Sequence, residues 1–192
     1  MNTNLKLCFK GGRNYVHGSD IVSALLKEME SRLITNIDLK FNGIASTQLD
    51  LVDGDTNEQA KVNIRWFENG QESIYQLIEN GKPIDCRFEY DEEQIIQRTK
   101  LDLDSQSIVL QQPTGYTLCE NFVAMNKFLL QSLFPDVQGK WYFTRLEQNG
   151  LVIENALITV KLIKNFNFRL VKSDVLVENI VIGSIYFTMV KD

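Results

Sequence analysis

A chain of 192 residues holds one large domain or two small ones. Its 44% hydrophobic and 23% charged residues match globular composition and exclude a disordered chain. The 20 basic and 25 acidic residues give a formal charge of −5, which supplies no broad positive field for nucleic acid or an anionic membrane.

The N-terminus, Met1-Asn2-Thr3-Asn4-Leu5, lacks the apolar core of a secretory signal. Leu5–Lys10 alternates apolar and polar residues, the period of a half-buried strand. Gly11-Gly12 breaks it, Arg13–Gly18 reads as a loop, and Ser19 or Asp20 can cap a helix. Ile21, Val22, Leu25, Leu26, Met29 and Leu33 recur at helical spacing, which predicts a helix over Ile21–Leu33. Strand-like runs follow at Asn36–Phe41, Ile44–Val52, Ala60–Phe67, Ser73–Ile78 and Ile84–Tyr90. Asn42-Gly43, Asp53-Gly54, Asn69-Gly70 and Asn80-Gly81 punctuate them, which predicts an antiparallel meander of hairpins.

Asp91–Ser105 is a polar seam with a short helix or connection over Glu92–Arg98, and Ser107–Gln111 reads as a strand. Glu120–Phe134 repeats the helical spacing and stops before Pro135. Strands are predicted at Lys140–Glu147, after an Asn149-Gly150 turn at Leu151–Ile163, and at Phe166–Ser173, Val175–Glu178 and Ile180–Val190. In Lys140–Arg145, alternation would bury Trp141 and Phe143 and expose Tyr142; the segment could instead offer aromatics and a cation to a ligand.

Cys8, Cys86 and Cys119 are odd in number, far apart and free of any CxxC spacing. They read as free thiols in a reducing compartment. No uncharged apolar run approaches the roughly 18 residues of a membrane helix. These features together predict a cytoplasmic protein with no membrane span and no nucleic-acid partner. Metal-ligand spacing, a Walker-type loop and a Gly-x-Ser-x-Gly elbow are also missing, so no metal or cofactor is expected.

The densest polar segment is Lys10–Asp20. His17 is the only histidine in the chain and the obvious general acid–base candidate near neutral pH. Asp20 would orient its imidazole or simply cap the helix. Gly11, Gly12 and Gly18 would let backbone N–H groups approach a ligand at a helix N-terminus. In the plain alternative, Gly-Gly is a turn, His17 a loop residue and Asp20 a cap.

Each half runs loop, apolar helix, antiparallel strands, with Ser19–Ala24 and Cys119–Ala124 in matching places. This pattern resembles the hotdog superfamily in a tandem, double-hotdog arrangement: an α+β fold with an apolar helix wrapped by a bent antiparallel sheet in each unit. A cystatin-like helix-on-sheet fold is the alternative. The units would be 1–105, including the connecting segment, and 106–192, joined in one compact body, as a monomeric pseudo-dimer or a homo-oligomer.

The resemblance implies an acyl-thioester ligand, carried on CoA or acyl carrier protein, and thioesterase or dehydratase chemistry if the chain is an enzyme. It implies His17, Asp20 and Glu120 as catalytic groups, with Glu120 supplying the helix carboxylate from the second unit. Glu120 reads equally as an ordinary acid at a helix N-terminus. Gly18, Ser19, Arg13 and Tyr15 would bind substrate, with the acyl chain near Leu25, Met29, Met125 and Leu129. Gly18-Ser19-Asp20 after His17 departs from the proline-containing histidine motif of the dehydratases. The order His17 then Asp20 departs from the Asn-Pro hydratase signature. The other reading is a non-catalytic module of the same architecture that binds a protein or lipid.

Overall fold

A computed structural model of the chain describes residues 3–55, 57–149 and 156–191. The chain divides into two compact units, Met1–Tyr90 and Asp91–Asp192. Segment 91–105, read above as a connection following the first half, carries a helix and a strand of the second unit.

In the first unit, β1 (Thr3–Leu5), β2 (Phe9–Lys10) and α1 (Gly18–Glu28) precede β3 (Ile34–Phe41), β4 (Leu49–Asp53), β5 (Val62–Glu68), β6 (Gln71–Glu79) and β7 (Arg87–Phe88). Neighbouring strands run β1-β4-β6-β5-β3, all antiparallel, while β2 and β7 form a short parallel pair. On β5 the buried Val62, Ile64 and Trp66 alternate with the exposed Arg65 and Phe67, so the strand has one dry face. Trp66 packs 4.7 Å from Tyr75 of β6, and α1 buries Ile21, Val22 and Leu25. Each such apolar side chain contributes about 1.5–3 kcal/mol by leaving water.

The Asn69-Gly70 turn forms as expected, with both residues at positive φ (50° and 81°), and joins β5 to β6. Asn42-Gly43 does not make a hairpin. The Asn42 N–H instead extends the β3–β5 ladder to the Lys61 carbonyl at 2.8 Å, and its side chain donates to the Ala60 carbonyl. The chain then crosses to β4, which lies between β1 and β6. Helix α1 ends at Glu28, leaving Leu33 67% exposed, because the chain must turn to bury Ile34 at the start of β3. Leu5–Lys10 is two short strands, and Ile84–Tyr90 keeps only the two residues of β7. The free-thiol expectation is corrected for two cysteines: Cys8 and Cys86 form a disulfide across a sequence separation of 78, and Cys119 is buried and outside that disulfide.

In the second unit come α2 (Glu92–Ile96), β8 (Thr99–Asp102), β9 (Ser107–Leu110), α3 (Leu118–Leu133), β10 (Lys140–Gln148), β11 (Ile158–Phe166), β12 (Leu170–Val177) and β13 (Ile180–Val190). Strands run β10-β13-β12-β11-β9-β8, again antiparallel. Helix α3 is buried on most of its surface, including Phe122, Val123, Met125, Leu129 and Leu130, as suits a helix apolar on most sides. Gly150 and the Leu151–Asn155 start of the expected Leu151–Ile163 strand lie outside the described residues.

Phe166–Ser173 is not one strand. Asn167 and Phe168 turn the chain with φ of 51° and 61°, the Phe168 N–H donating to Asn165 Oδ1 at 2.8 Å. A phenylalanine in the left-handed region is costly, and ring packing offsets the cost: Phe168 lies edge-on to Phe134 at 5.1 Å and to Trp141 at 6.1 Å. The expected Trp141/Tyr142/Phe143 alternation is also replaced, with all three half-buried. A bulge between Phe143 and Arg145 breaks the two-residue period there.

Candidate functional site

The loop that leads into α1 is tied down at several points before it reaches His17. The Cys8–Cys86 disulfide joins the chain just ahead of β2 to the residue before β7. Arg87 Nη1 donates to the carbonyls of Gly11 (2.5 Å) and Arg13 (2.6 Å). Gly11 sits at φ 55°, and its N–H donates to the Phe88 carbonyl. Further along, Val16 N–H donates to Ala45, in the crossing between β3 and β4. Arg13 lies 5.7 Å from the Tyr90 ring, and Tyr15 is half-buried.

At the base of this loop Lys10 is 0% exposed, and lysine is almost never fully buried unless paired. Its Nζ lies 2.5 Å from Asp20 Oδ1 and donates to Ser19 Oγ at 3.3 Å. The rings of Tyr90 and Phe88 stand over the same ammonium at 4.2 and 5.4 Å, a cation–π arrangement. Ser19 Oγ in turn lies 2.7 Å from His17 Nδ1, and the imidazole is tilted against Tyr90 at 6.1 Å between centroids.

His17 is the N-cap of α1, in extended conformation and without a side-chain cap bond. The expectation that Ser19 or Asp20 caps the helix is therefore corrected. The helix starts at Gly18, which puts both inside the first turn, with Ser19 committed to His17 and Lys10 and Asp20 to Lys10. Asp20 and Ile21 N–H groups both donate to the His17 carbonyl, which leaves the Gly18 and Ser19 N–H groups at the helix mouth, where the dipole favours negative charge.

Glu120 belongs to the second unit and sits at the third position of α3. Its Oε2 accepts from Thr117 N (2.7 Å) and Thr117 Oγ (2.8 Å), while its own N–H donates to Thr117 Oγ, a complete capping box. Beside it the Asn121 amide is held by Thr114 and Tyr116. Arg145, weighed above as part of a ligand platform, pairs with Glu147 at 2.7 Å and lies over the Tyr186 ring.

Lys10 opens the polar segment singled out from the sequence but has no role assigned there, and Phe88 and Tyr90 entered no functional argument. The signal for Lys10 was hidden because strict alternation from Leu5 places it with Lys6 on the wet face. The break between β1 and β2 shifts the phase and turns it inward.

A second polar cluster in the same unit serves stability. Glu79 Oε1 accepts from Ser46 N (2.6 Å), Ser46 Oγ (3.2 Å) and Thr47 N (3.0 Å), and Oε2 pairs with Lys61 at 3.1 Å. Lys61 and Glu79 also line a surface cavity of about 360 Å3. Burial opposes the charge on Glu79, but the Ser46 N–H, Lys61 and the Thr47 N–H outweigh it and hold the carboxyl near a pKa of about 2, below an ordinary 4.5. Its contribution to stability is complete above the unfolded value and disappears as pH falls from there towards 2. Glu79→Gln is expected to cost about 2–3 kcal/mol at neutral pH. In urea unfolding, that difference should shrink steadily between pH 4.5 and 2.

No known family profile matches the sequence, and no curated protein matches it. Solved structures do match its fold. A proposed thioesterase from Novosphingobium aromaticivorans DSM 12444 aligns over 100% of this chain and 94% of its own, with a TM-score of 0.51 and 10% identity. A protein of unknown function with a hotdog fold from Alicyclobacillus acidocaldarius aligns over 100% and 93%, at 0.50 and 8%. The pyran synthase domain of module nine of the sorangicin pathway aligns over 100% and 92%, at 0.50 and 10%. The chain therefore has a hotdog-like α+β fold. At this identity the likeness defines the fold alone. Among the described residues no helix is long and apolar enough to cross a membrane.

Proposed function

We propose that this chain, built as two hotdog-like units in tandem, binds an acyl thioester carried by CoA or acyl carrier protein, with the thioester beside His17. The supporting observation is the arrangement at the mouth of α1. The only histidine of the chain is fixed at the helix N-terminus, next to the Gly18 and Ser19 N–H groups and above a buried Lys10–Asp20 pair. A thioester carbonyl that gains negative charge, by hydrolysis or by loss of a Cα proton, is stabilised by such donors and by the helix dipole. His17 takes the base or orienting role, Arg13 and Tyr15 bind the substrate, and the acyl chain lies near the apolar Leu25 and Met29 of the core.

Turnover as a thioesterase or a dehydratase is the first form of this proposal, with Asp20 as the carboxylate beside His17. A non-catalytic binder is the second. The observation that favours it is that Asp20 faces Lys10 and Glu120 closes a capping box, so both carboxylates already have structural work.

A panel of acyl-CoA and acyl carrier protein thioesters, saturated and 3-hydroxylated, tests the proposal with the wild type and His17→Ala. Loss of about 10²–10⁴-fold in turnover on removing His17 is expected of an acid–base group. Binding without turnover, weakened by His17→Ala, selects the binding module. A wild type that neither binds nor turns over any thioester overturns the proposal.

A further inference from the structure

We propose that Ser19 and Lys10 are positioning residues that keep the single proton of neutral His17 on Nε2, so that the imidazole is a hydrogen-bond donor on that side. The donors and acceptors around one oxygen, Ser19 Oγ, decide where that proton sits. A serine hydroxyl has one proton to give and two lone pairs to fill. Lys10 Nζ, an ammonium with donors only, fills one lone pair of Ser19 Oγ from 3.3 Å. Two acceptors then remain for the hydroxyl proton: His17 Nδ1 at 2.7 Å and Asp20 Oδ1 at 3.4 Å.

A hydroxyl donor gains most at about 2.5–3.0 Å and little beyond. The proton therefore goes to Nδ1, and the neutral ring carries its own proton on Nε2. In the opposite arrangement Nδ1–H would donate to Ser19 Oγ, and the hydroxyl proton would be left to the 3.4 Å contact. Asp20 has less need of it, because the Lys10 ammonium already stands 2.5 Å from the same oxygen. The neighbouring cation also polarises the Ser19 O–H towards Nδ1. Lys10 and Ser19 are both fully buried, so bulk water does not compete for these bonds.

Taken with the acyl-thioester reading, on which this consequence rests, the tautomer gives His17 a definite first role. Its Nε2–H donates to the thioester carbonyl oxygen and polarises the C=O, and no covalent bond forms or breaks in that step. Of the two roles proposed for His17 this selects the orienting one, a neutral electrophile, because a ring protonated on Nε2 and hydrogen-bonded at Nδ1 leaves no lone pair to take a substrate proton.

The test reads the ring directly, since one histidine gives one set of imidazole signals. Nitrogen NMR of ¹⁵N-histidine-labelled, ligand-free protein, above the pH at which the imidazole loses its charge, should show Nδ1 as the bare acceptor and Nε2 as the protonated nitrogen. In Ser19→Ala the tautomer ratio should fall by about tenfold, the factor set by a hydrogen bond of ordinary net strength. Ser19→Thr, which retains the hydroxyl, should keep the wild-type ratio. A wild-type ring protonated on Nδ1, or a ratio unmoved in Ser19→Ala, overturns the proposal. Because no ligand is present, this outcome is independent of whether the thioester panel succeeds.

Discussion

Lys10→Met is expected to destabilise the first unit by about 3–5 kcal/mol, the cost of removing one member of a buried ion pair. Lys10 has no exposed side-chain surface and Asp20 only 13%, so solvent replaces little of what the substitution removes. The aromatic rings of Phe88 and Tyr90, which stand over the ammonium, would face the Asp20 carboxylate across an apolar methionine. Two elements also lose their tie, because Lys10 belongs to β2 and Asp20 to the first turn of α1. The pair should show coupling in a double-mutant cycle. Lys10→Met with Asp20→Asn should cost clearly less than the sum of the two single changes, since no unbalanced charge is then left inside. Urea unfolding of the four proteins measures this. Additive costs of less than about 1 kcal/mol each would mean that the pair behaves like an exposed salt bridge.

Breaking the Cys8–Cys86 bond is expected to cost about 4 kcal/mol, from the loop-closure entropy released to the unfolded chain over the 78-residue separation. Beyond that entropy, the bond lies two residues from Lys10 on one side and two from Phe88 on the other, so it fixes the strand pair that encloses the ammonium. Cys8→Ser with Cys86→Ser should lower the urea midpoint by the corresponding amount. A reductant should lower the wild type to the same value and leave the double variant unchanged. A wild type insensitive to reductant, with a midpoint equal to that of the variant, would mean that the bond adds no stability. The cytoplasmic expectation drew on three free thiols, two of which are joined in this disulfide, and disulfides persist mainly in oxidising compartments.

What the sequence revealed was local chemistry. Both main helices follow from apolar spacing, and Asn69-Gly70 follows from the need for two residues at positive φ. His17, Gly18, Ser19 and Asp20 could be grouped because one loop and one helical turn hold them together. The rest depends on long-range pairing. Asn42-Gly43 looks like a hairpin until β5 claims the edge of β3. Cys8 finds Cys86 only because β2 and β7 lie side by side in parallel. Lys10 reads as a wet-face residue until the chain break after β1 reverses the phase, and Tyr90 reaches the site from the far end of the unit. The bulge in β10 and the left-handed Phe168 are likewise settled by neighbours in space.

An acyl thioester bound beside His17 must perturb the imidazole of that residue. Titration of the ¹⁵N-histidine-labelled protein with a non-hydrolysable acyl-CoA thioether, followed through the imidazole signals, measures this. Those signals should shift along a saturable curve, with the same affinity that calorimetry reports for the whole protein, and His17→Ala should weaken that affinity. Imidazole signals that stay in place at ligand concentrations where calorimetry shows saturation, or an absence of any binding, would contradict it.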